Sequence, residues 1–354
     1  MSSGPGAGDP ASPSEAVRLL LVACIAGDAF RQAEQVGIRR ALEQAPTREL
    51  AVALNATHTG ALFDACLGHL VSDAGLKYEL ACATTSQGVY NGFLGSTLAT
   101  LVRGLPELAQ PPVILKGPGF WSWLYPDIAT RKTRDLDLLI RDPRDLEPVV
   151  TSLQDAGFRF EHPVSDLAAD DHYELPTLFR EDLLSVTEEE AERIDHLLEL
   201  CPSRPDFERV GPGEYTFRIE IEIHKGLFLL LDGTVPLVSD AVIRPSEAAP
   251  GLMRLALPAQ IPYAAAKFGM DTEGAEGGPP QAQSLKLLGD FVRLMERLTP
   301  AEAAESVLLA RAWGCGGYYG RTVATARPLL PDIAFRGVTA DPYDLNTLFD
   351  LASA

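Results

Sequence analysis

Cysteine is scarce in this chain: five in 354 residues (Cys24, Cys66, Cys82, Cys201 and Cys315), with no Cys-x-x-Cys pair and no histidine partner at metal spacing. An odd, scattered set excludes a disulfide framework and a cysteine-based metal site, and reads as reduced, mostly buried thiols. Cations are also few. Against 49 acidic residues stand 30 basic ones, net −19, and such a field opposes non-specific binding to nucleic acid or to an anionic membrane. A locally basic pocket and a cationic small ligand stay compatible with it. Long apolar runs are missing too, since Leu19–Ala26 is far shorter than the ~20 residues of a membrane span. Residues 1–14, rich in Ser, Gly and Pro, have no basic segment and no apolar one, so a flexible tail is expected there in place of a signal peptide. No internal repeat is visible. What remains, 46% hydrophobic and 22% charged, is ordinary globular composition, long enough for two or three domains and suited to the cytoplasm.

From residue 15 to about 110 the apolar positions recur at spacings of three and four, through Ala16–Ile25, Arg48–Leu54, Ala61–Leu70 and Tyr90–Val102. Pro46, Gly75 and Pro106 punctuate them, which predicts an N-terminal helical region. Residues 111–238 change character. Pro111-Pro112 introduces Val113-Ile-Leu, a short apolar strand ending at Lys116-Gly-Pro-Gly119, and Phe120–Tyr125 reads as a short helix stopped by Pro126. A strand carrying Asp135-Leu-Asp137 follows, then a helix opened by Asp142-Pro143 and capped by Gly157, then a short strand at Phe158–Phe160. Residues 161–213 are acidic and read as an irregular insertion with a surface helix near Glu188–His196. Tyr215–His224 then alternates strictly, with Phe217, Ile219, Ile221 and Ile223 on one face and Arg218, Glu220, Glu222 and His224 on the other. Residues 239–354 read as a C-terminal helical domain, with helices at Pro258–Gly269, Ser284–Leu298, Pro300–Ala312 and Gly320–Leu329.

Asp135 and Asp137 are two apart on a strand, so their side chains share a face with Cα atoms roughly 6–7 Å apart and can reach one small volume. A third carboxylate on a neighbouring strand would complete a site for two Mg²⁺ or Mn²⁺ ions against a triphosphate, because hard cations prefer oxygen. Glu222 is the first choice for it, and Glu220 on the same face is the alternative. The Lys116-Gly117 turn could cradle phosphate, with Gly admitting the backbone and Lys adding charge, and Arg131, Lys132 and Arg134 concentrate positive charge beside the acids. Each signal has a plainer reading when taken singly. Asp-x-Asp can be a polar strand end, Lys-Gly a turn, and Lys286 with Asp290 an i,i+4 ion pair. Trp121, Trp123 and Trp313 read as packing residues.

The order of these elements is what distinguishes them. Leu115-Lys-Gly, Leu124-Tyr-Pro, Arg131 and Asp135-Leu-Asp-Leu-Leu, followed by a carboxylate-bearing strand, resemble the polymerase-beta-like nucleotidyltransferase superfamily, and within it the uncharacterised nucleotidyltransferase family. Glu222-Ile-His224, His172–Pro176 and Leu285–Asp290 match further stretches of that family. Departures are Lys116-Gly117 where the superfamily has Gly-Ser, and Lys225 where an aromatic commonly follows the histidine. The resemblance implies an α+β fold: a small mixed sheet flanked by N-terminal and C-terminal helical regions. It also implies transfer of a nucleoside monophosphate from a nucleoside triphosphate, ATP being the expected donor, with Mg²⁺ or Mn²⁺. Asp135, Asp137 and Glu222 would hold metal and carry catalysis, while Lys116, Gly117, Arg131 and Lys286 would bind nucleotide. Glu220, His224, His172 and Asp290 would support the site or meet the acceptor. The acceptor expected is a small molecule, such as a biosynthetic intermediate or a cationic antibiotic-like compound. The alternatives are nucleotidyl modification of a protein or an RNA end, and a nucleotide-binding protein without turnover. The net charge weighs against RNA. Oligomeric state is not legible.

Overall fold

The computed structural model describes residues 14–125, 127–162, 173–200, 207–230, 233–236, 238–247, 249–273, 281–330 and 340–352. Six helices come first: α1 (Glu15–Ile25), α2 (Asp28–Ala33), α3 (Gln35–Gln44), α4 (Thr47–Ala56), α5 (Gly60–Leu67) and α6 (Ala74–Gly104). The central part holds β1 (Val113–Ile114), α7 (Pro118–Leu124), β2 (Asp135–Leu139), α8 (Pro143–Asp155), β3 (Arg159–Phe160), β4 (Leu178–Ser185), α9 (Glu188–Leu200), β5 (Phe207–Gly211) and β6 (Glu214–His224). The C-terminal part adds β7 (Ile243–Pro245), β8 (Met253–Leu255), α10 (Leu257–Glu273), α11 (Ser284–Glu296), α12 (Pro300–Ala312), α13 (Gly316–Ala326) and α14 (Leu345–Leu351). The architecture is α+β.

Local chemistry sets the helix starts. Ser14 accepts from the Val17 N–H at the head of α1, Asp73 from Leu76 at α6, and Asp142 from Arg144 at α8, each satisfying a donor the helix cannot. Thr299 and Glu302 form a reciprocal capping box on α12. Gly75, expected as punctuation, lies inside the first turn of α6, so that helix begins well before the apolar stretch at Tyr90–Val102.

The sheet runs β3-β4-β6-β2-β1-β8-β7, with β5 also paired to β6. Two of its pairings are parallel, β2 with β6 and β1 with β8, and the others are antiparallel. Residues 161–213 are less irregular than expected: β4 pairs with β6 along its whole length, and β5 flanks β6 near its start. β7 and β8 likewise lie in a stretch expected to be helical and extend the sheet beyond β1.

On one face of the sheet Phe217, Ile219, Ile221 and Ile223 are fully buried with Leu94 and Leu98 of α6 and Val149, Val150 and Leu153 of α8. A second core joins the chain's two ends: Leu20, Leu21 and Ile25 of α1 are buried with Leu288, Phe291 and Val292 of α11. Trp313 is buried in that core, as its packing role requires. Cys24, Cys82 and Cys315 are buried free thiols, Cys66 is a partly buried one, and Cys201 lies outside the described residues. Among the described residues no single helix is long and apolar enough to cross a membrane.

Candidate active site

Asp135 and Asp137 open β2, and the parallel register sets Asp135 beside Glu220, Asp137 beside Glu222 and Leu139 beside His224. Four acids thus stand on two adjacent strands. The turn after β1 brings Lys116 over them, with its Nζ 3.1 Å from Asp135 Oδ2 and 2.9 Å from Asp137 Oδ1. Two backbone contacts fix that turn: the Leu115 N–H donates to the Asp137 carbonyl, and Gln260 Nε2 donates to the Leu115 carbonyl. Gly117 has φ +60°, and a Cβ there would meet Thr133 Cγ2 at 2.7 Å, so both conformation and space require glycine.

Asp137 is the centre of the cluster. Burial alone would raise its pKa, but Lys116 and then His224 hold the carboxyl well below the usual range. His224 Nε2 lies 3.1 Å from Asp137 Oδ1 and 3.7 Å from Glu222 Oε2. Burial works against a charged imidazole, yet the hydrogen bond to Asp137 and the nearby Glu222 carboxylate outweigh it and push His224 up to about 9. Glu222 is pushed up to about 7, chiefly by burial, with Asp135 and Asp137 adding to the shift and Lys116 opposing it. Burial also acts against Lys116, but Asp135, Asp137 and Glu222 hold it charged.

Asp137 Oδ2 is buried without a hydrogen-bond partner, and Asp137, Glu222 and His224 each offer a ligand atom within 4.8 Å of the others. A desolvated carboxylate oxygen left without a donor is costly, and a cation would satisfy it. The donor set therefore fits a divalent ion. Glu220 belongs to a different arrangement, since Arg218 Nε stands 2.8 Å and Arg134 Nε 3.4 Å from its oxygens.

Arg131 is at the cavity wall, but its guanidinium meets both oxygens of Asp290, with Nη2 at 2.7 Å from Oδ2 and Nε at 2.9 Å from Oδ1. Tyr125 also donates to Asp290. Asp290 thus serves the segment before β2 in place of its helical neighbour Lys286, and neutralises Arg131 inside the protein. Lys286 faces the same cavity. Burial and the nearby Arg131 push it down to about 8. His172 lies outside the described residues. Glu174 sits beside His224 in an isolated bridge, its Oε2 3.8 Å from His224 Nδ1.

Lys116, Arg131, Asp135, Glu222, Lys286 and Asp290 border one cavity of about 490 Å³. Its far wall comes from α10, through Tyr263, Lys267 and Asp271, which the sequence reading missed. The signal was present: those residues recur every four positions, a polar stripe on a mostly apolar helix. Tyr263 is buried with its hydroxyl unpartnered, and burial reinforced by Asp137 keeps its phenol protonated. Also missed was the clamp from α6, where the Tyr90 hydroxyl, with one proton to donate, stands 2.8 Å from the Arg134 carbonyl and 2.9 Å from that of Arg218. Asn91 Nδ2 holds the Arg131 carbonyl at 2.8 Å. Nothing local marks either residue as different from its helical neighbours.

A family model described as "Uncharacterised nucleotidyltransferase" matches residues 48–331, which include every strand among the described residues and the whole of this cavity. No curated protein and no solved structure gives a significant match. The mixed α+β sheet, with its acidic pair on β2 and a third carboxylate on the parallel neighbour β6, is consistent with a nucleotidyltransferase fold. The chain belongs to the uncharacterised nucleotidyltransferase family.

Proposed function

We propose that this protein moves a nucleoside monophosphate from a nucleoside triphosphate, ATP first, to a small-molecule acceptor. The oxygen of an acceptor hydroxyl bonds to the α-phosphorus as the bond to the bridging oxygen of the leaving pyrophosphate breaks, and the hydroxyl proton is lost to solvent. The observation that carries this reading is Asp137 beside Glu222, with one buried oxygen of Asp137 awaiting a cation. Asp135, Asp137 and Glu222 would hold Mg²⁺ or Mn²⁺. Divalent ions there supply charge compensation for the phosphate oxygens and the leaving group. Lys116 draws the two aspartates together and keeps Asp137 charged, and then turns to the phosphates, which need positioning and electrostatic support more than covalent help. Arg131 and Asp290 lock the segment that delivers β2. A cavity of about 490 Å³ supports a small acceptor, and net −19 weighs against an RNA end.

Calorimetric titration of each nucleoside triphosphate in the presence of Mn²⁺ tests the binding half of this reading. Binding should depend on the metal and should vanish in Asp135→Ala and Asp137→Ala; indifference to both would sink it. The third carboxylate separates cleanly. Glu222→Gln should abolish turnover while Glu220→Gln keeps most of it, because Glu220 is held by two arginines and lies outside the Asp137 cluster. The reverse result would give Glu220 the role.

Lys286 adds a pH signature. Its pKa in the free cavity is about 8, and a triphosphate favours its charged form, so above pH 8 binding must also take up a proton. Nucleotide affinity should therefore weaken as pH rises from 7 to 9, and Lys286→Met should flatten that slope; the same slope in the variant would assign the effect elsewhere.

A further inference from the structure

His224 is the one member of the acidic cluster with no place in an all-oxygen cation site. Its imidazole is 1% exposed, and its Nε2 points between two carboxylates, 3.1 Å from Asp137 Oδ1 and 3.7 Å from Glu222 Oε2. These three side chains form the group whose ligand atoms all lie within 4.8 Å of one another. Two of its buried polar atoms, Asp137 Oδ2 and His224 Nδ1, have no hydrogen-bond partner.

Strand geometry explains the convergence. Asp137 is in register with Glu222 across the β2–β6 pairing, and His224 follows Glu222 by two residues, so it shares the same face of β6. Behind the ring, Glu174 bridges to His224 through the backbone and sets its carboxylate 3.8 Å from Nδ1. An imidazole with one nitrogen toward carboxylates that can hold a metal, and the other toward an outer carboxylate, is the arrangement by which proteins fix a ligating histidine's tautomer and orientation. We infer that His224 Nε2 is itself a metal ligand alongside Asp137 and Glu222, that Glu174 orients it through Nδ1, and that the site consequently prefers Mn²⁺ to Mg²⁺.

The preference follows from ligand type. Mg²⁺ strongly favours oxygen donors and dehydrates reluctantly, whereas first-row transition ions accept imidazole readily. A histidine that only donated a hydrogen bond to Asp137 would leave the selectivity of an all-carboxylate site. The inference rests on the nucleotidyl-transfer reading for the site's purpose, but its test does not use turnover.

The full-length, untagged chain would be prepared with natural and with ¹⁵N-labelled histidine, loaded with Mn²⁺ alone, and examined by electron spin echo envelope modulation. A nitrogen modulation that changes with the histidine label is expected, and it should disappear in His224→Gln. Because the first readout needs no variant, a misfolded His224→Gln protein leaves it decisive. Glu174→Gln should weaken Mn²⁺ binding roughly 10–100-fold, and equimolar Mg²⁺ should displace little of the bound Mn²⁺. Bound Mn²⁺ showing proton modulation alone, or equal competition by Mg²⁺, would overturn the inference while leaving nucleotidyl transfer in place. Failure of Mn²⁺ to bind would also overturn it. Loss of metal-dependent nucleotide binding in the calorimetric titration would instead remove the reading beneath it.

Discussion

Asp137→Asn is expected to lower nucleotidyl transfer by on the order of 10³-fold, ~4 kcal/mol of transition-state stabilisation. The substitution keeps the side chain's volume and one carbonyl oxygen, so the loss isolates charge from shape. That charge is unusually well protected. Lys116 and His224 hold the carboxyl ionised against its own burial, so it remains an anion at any working pH. Neutralising it removes the oxygen that lacks a donor and leaves Lys116 with Asp135 as its remaining partner among the two aspartates. Steady-state pyrophosphate release, with circular dichroism to check the fold, measures the effect. A variant that folds and retains activity within about tenfold, ~1.4 kcal/mol, would show that this carboxylate does not stabilise the transition state.

The largest effect on stability should come from Asp290→Ala. Arg131 is 3% exposed and Asp290 2%, and their guanidinium and carboxylate meet through three hydrogen bonds. Removing one partner leaves the other charge buried and uncompensated, which costs about 3–5 kcal/mol. The same change releases the Tyr125 hydroxyl. The pair joins two stretches of sequence 159 residues apart, so the segment feeding β2 should loosen as well. Urea unfolding of Asp290→Ala, of Arg131→Met and of the double variant measures the coupling. The double variant should recover part of the loss, because it buries no unpaired charge. A single-variant cost below about 1 kcal/mol would place Asp290 among ordinary surface acids.

Such long-range partnerships mark the limit of what was legible beforehand. The Asp135/Asp137 strand and β6 could be read because polar and apolar residues alternating with a period of two are a local signal, and a few residues of β2 suffice to carry it. β4 escaped notice: Leu178–Ser185 mixes Arg, Glu and Asp with leucines on both faces, since only part of the strand is covered. β7 and β8 are three residues each, too short for any period to register. α6 carries Thr, Ser and Gly along its whole length, and tertiary contacts outweigh its weak propensity. At the site, Lys116 was named from its turn and Asp137, Glu222 and His224 from their strands, and the fold brings them together. The commitment of Asp290 to Arg131, and the approach of Tyr263 from α10, depend on how α10 and α11 fold back over the sheet, which no window of residues records.

The most direct test of nucleotidyl transfer is to follow pyrophosphate release and label transfer together. The chain would be incubated with α-³²P-labelled nucleoside triphosphates, Mn²⁺ or Mg²⁺, and a protein-free extract of small metabolites as acceptor, with Asp137→Asn alongside. Stoichiometric pyrophosphate and a new labelled small molecule, both dependent on the divalent ion and on Asp137, are the predicted result. Nucleotide that binds but is never cleaved, or label that appears at equal rates with Asp137→Asn, would contradict it.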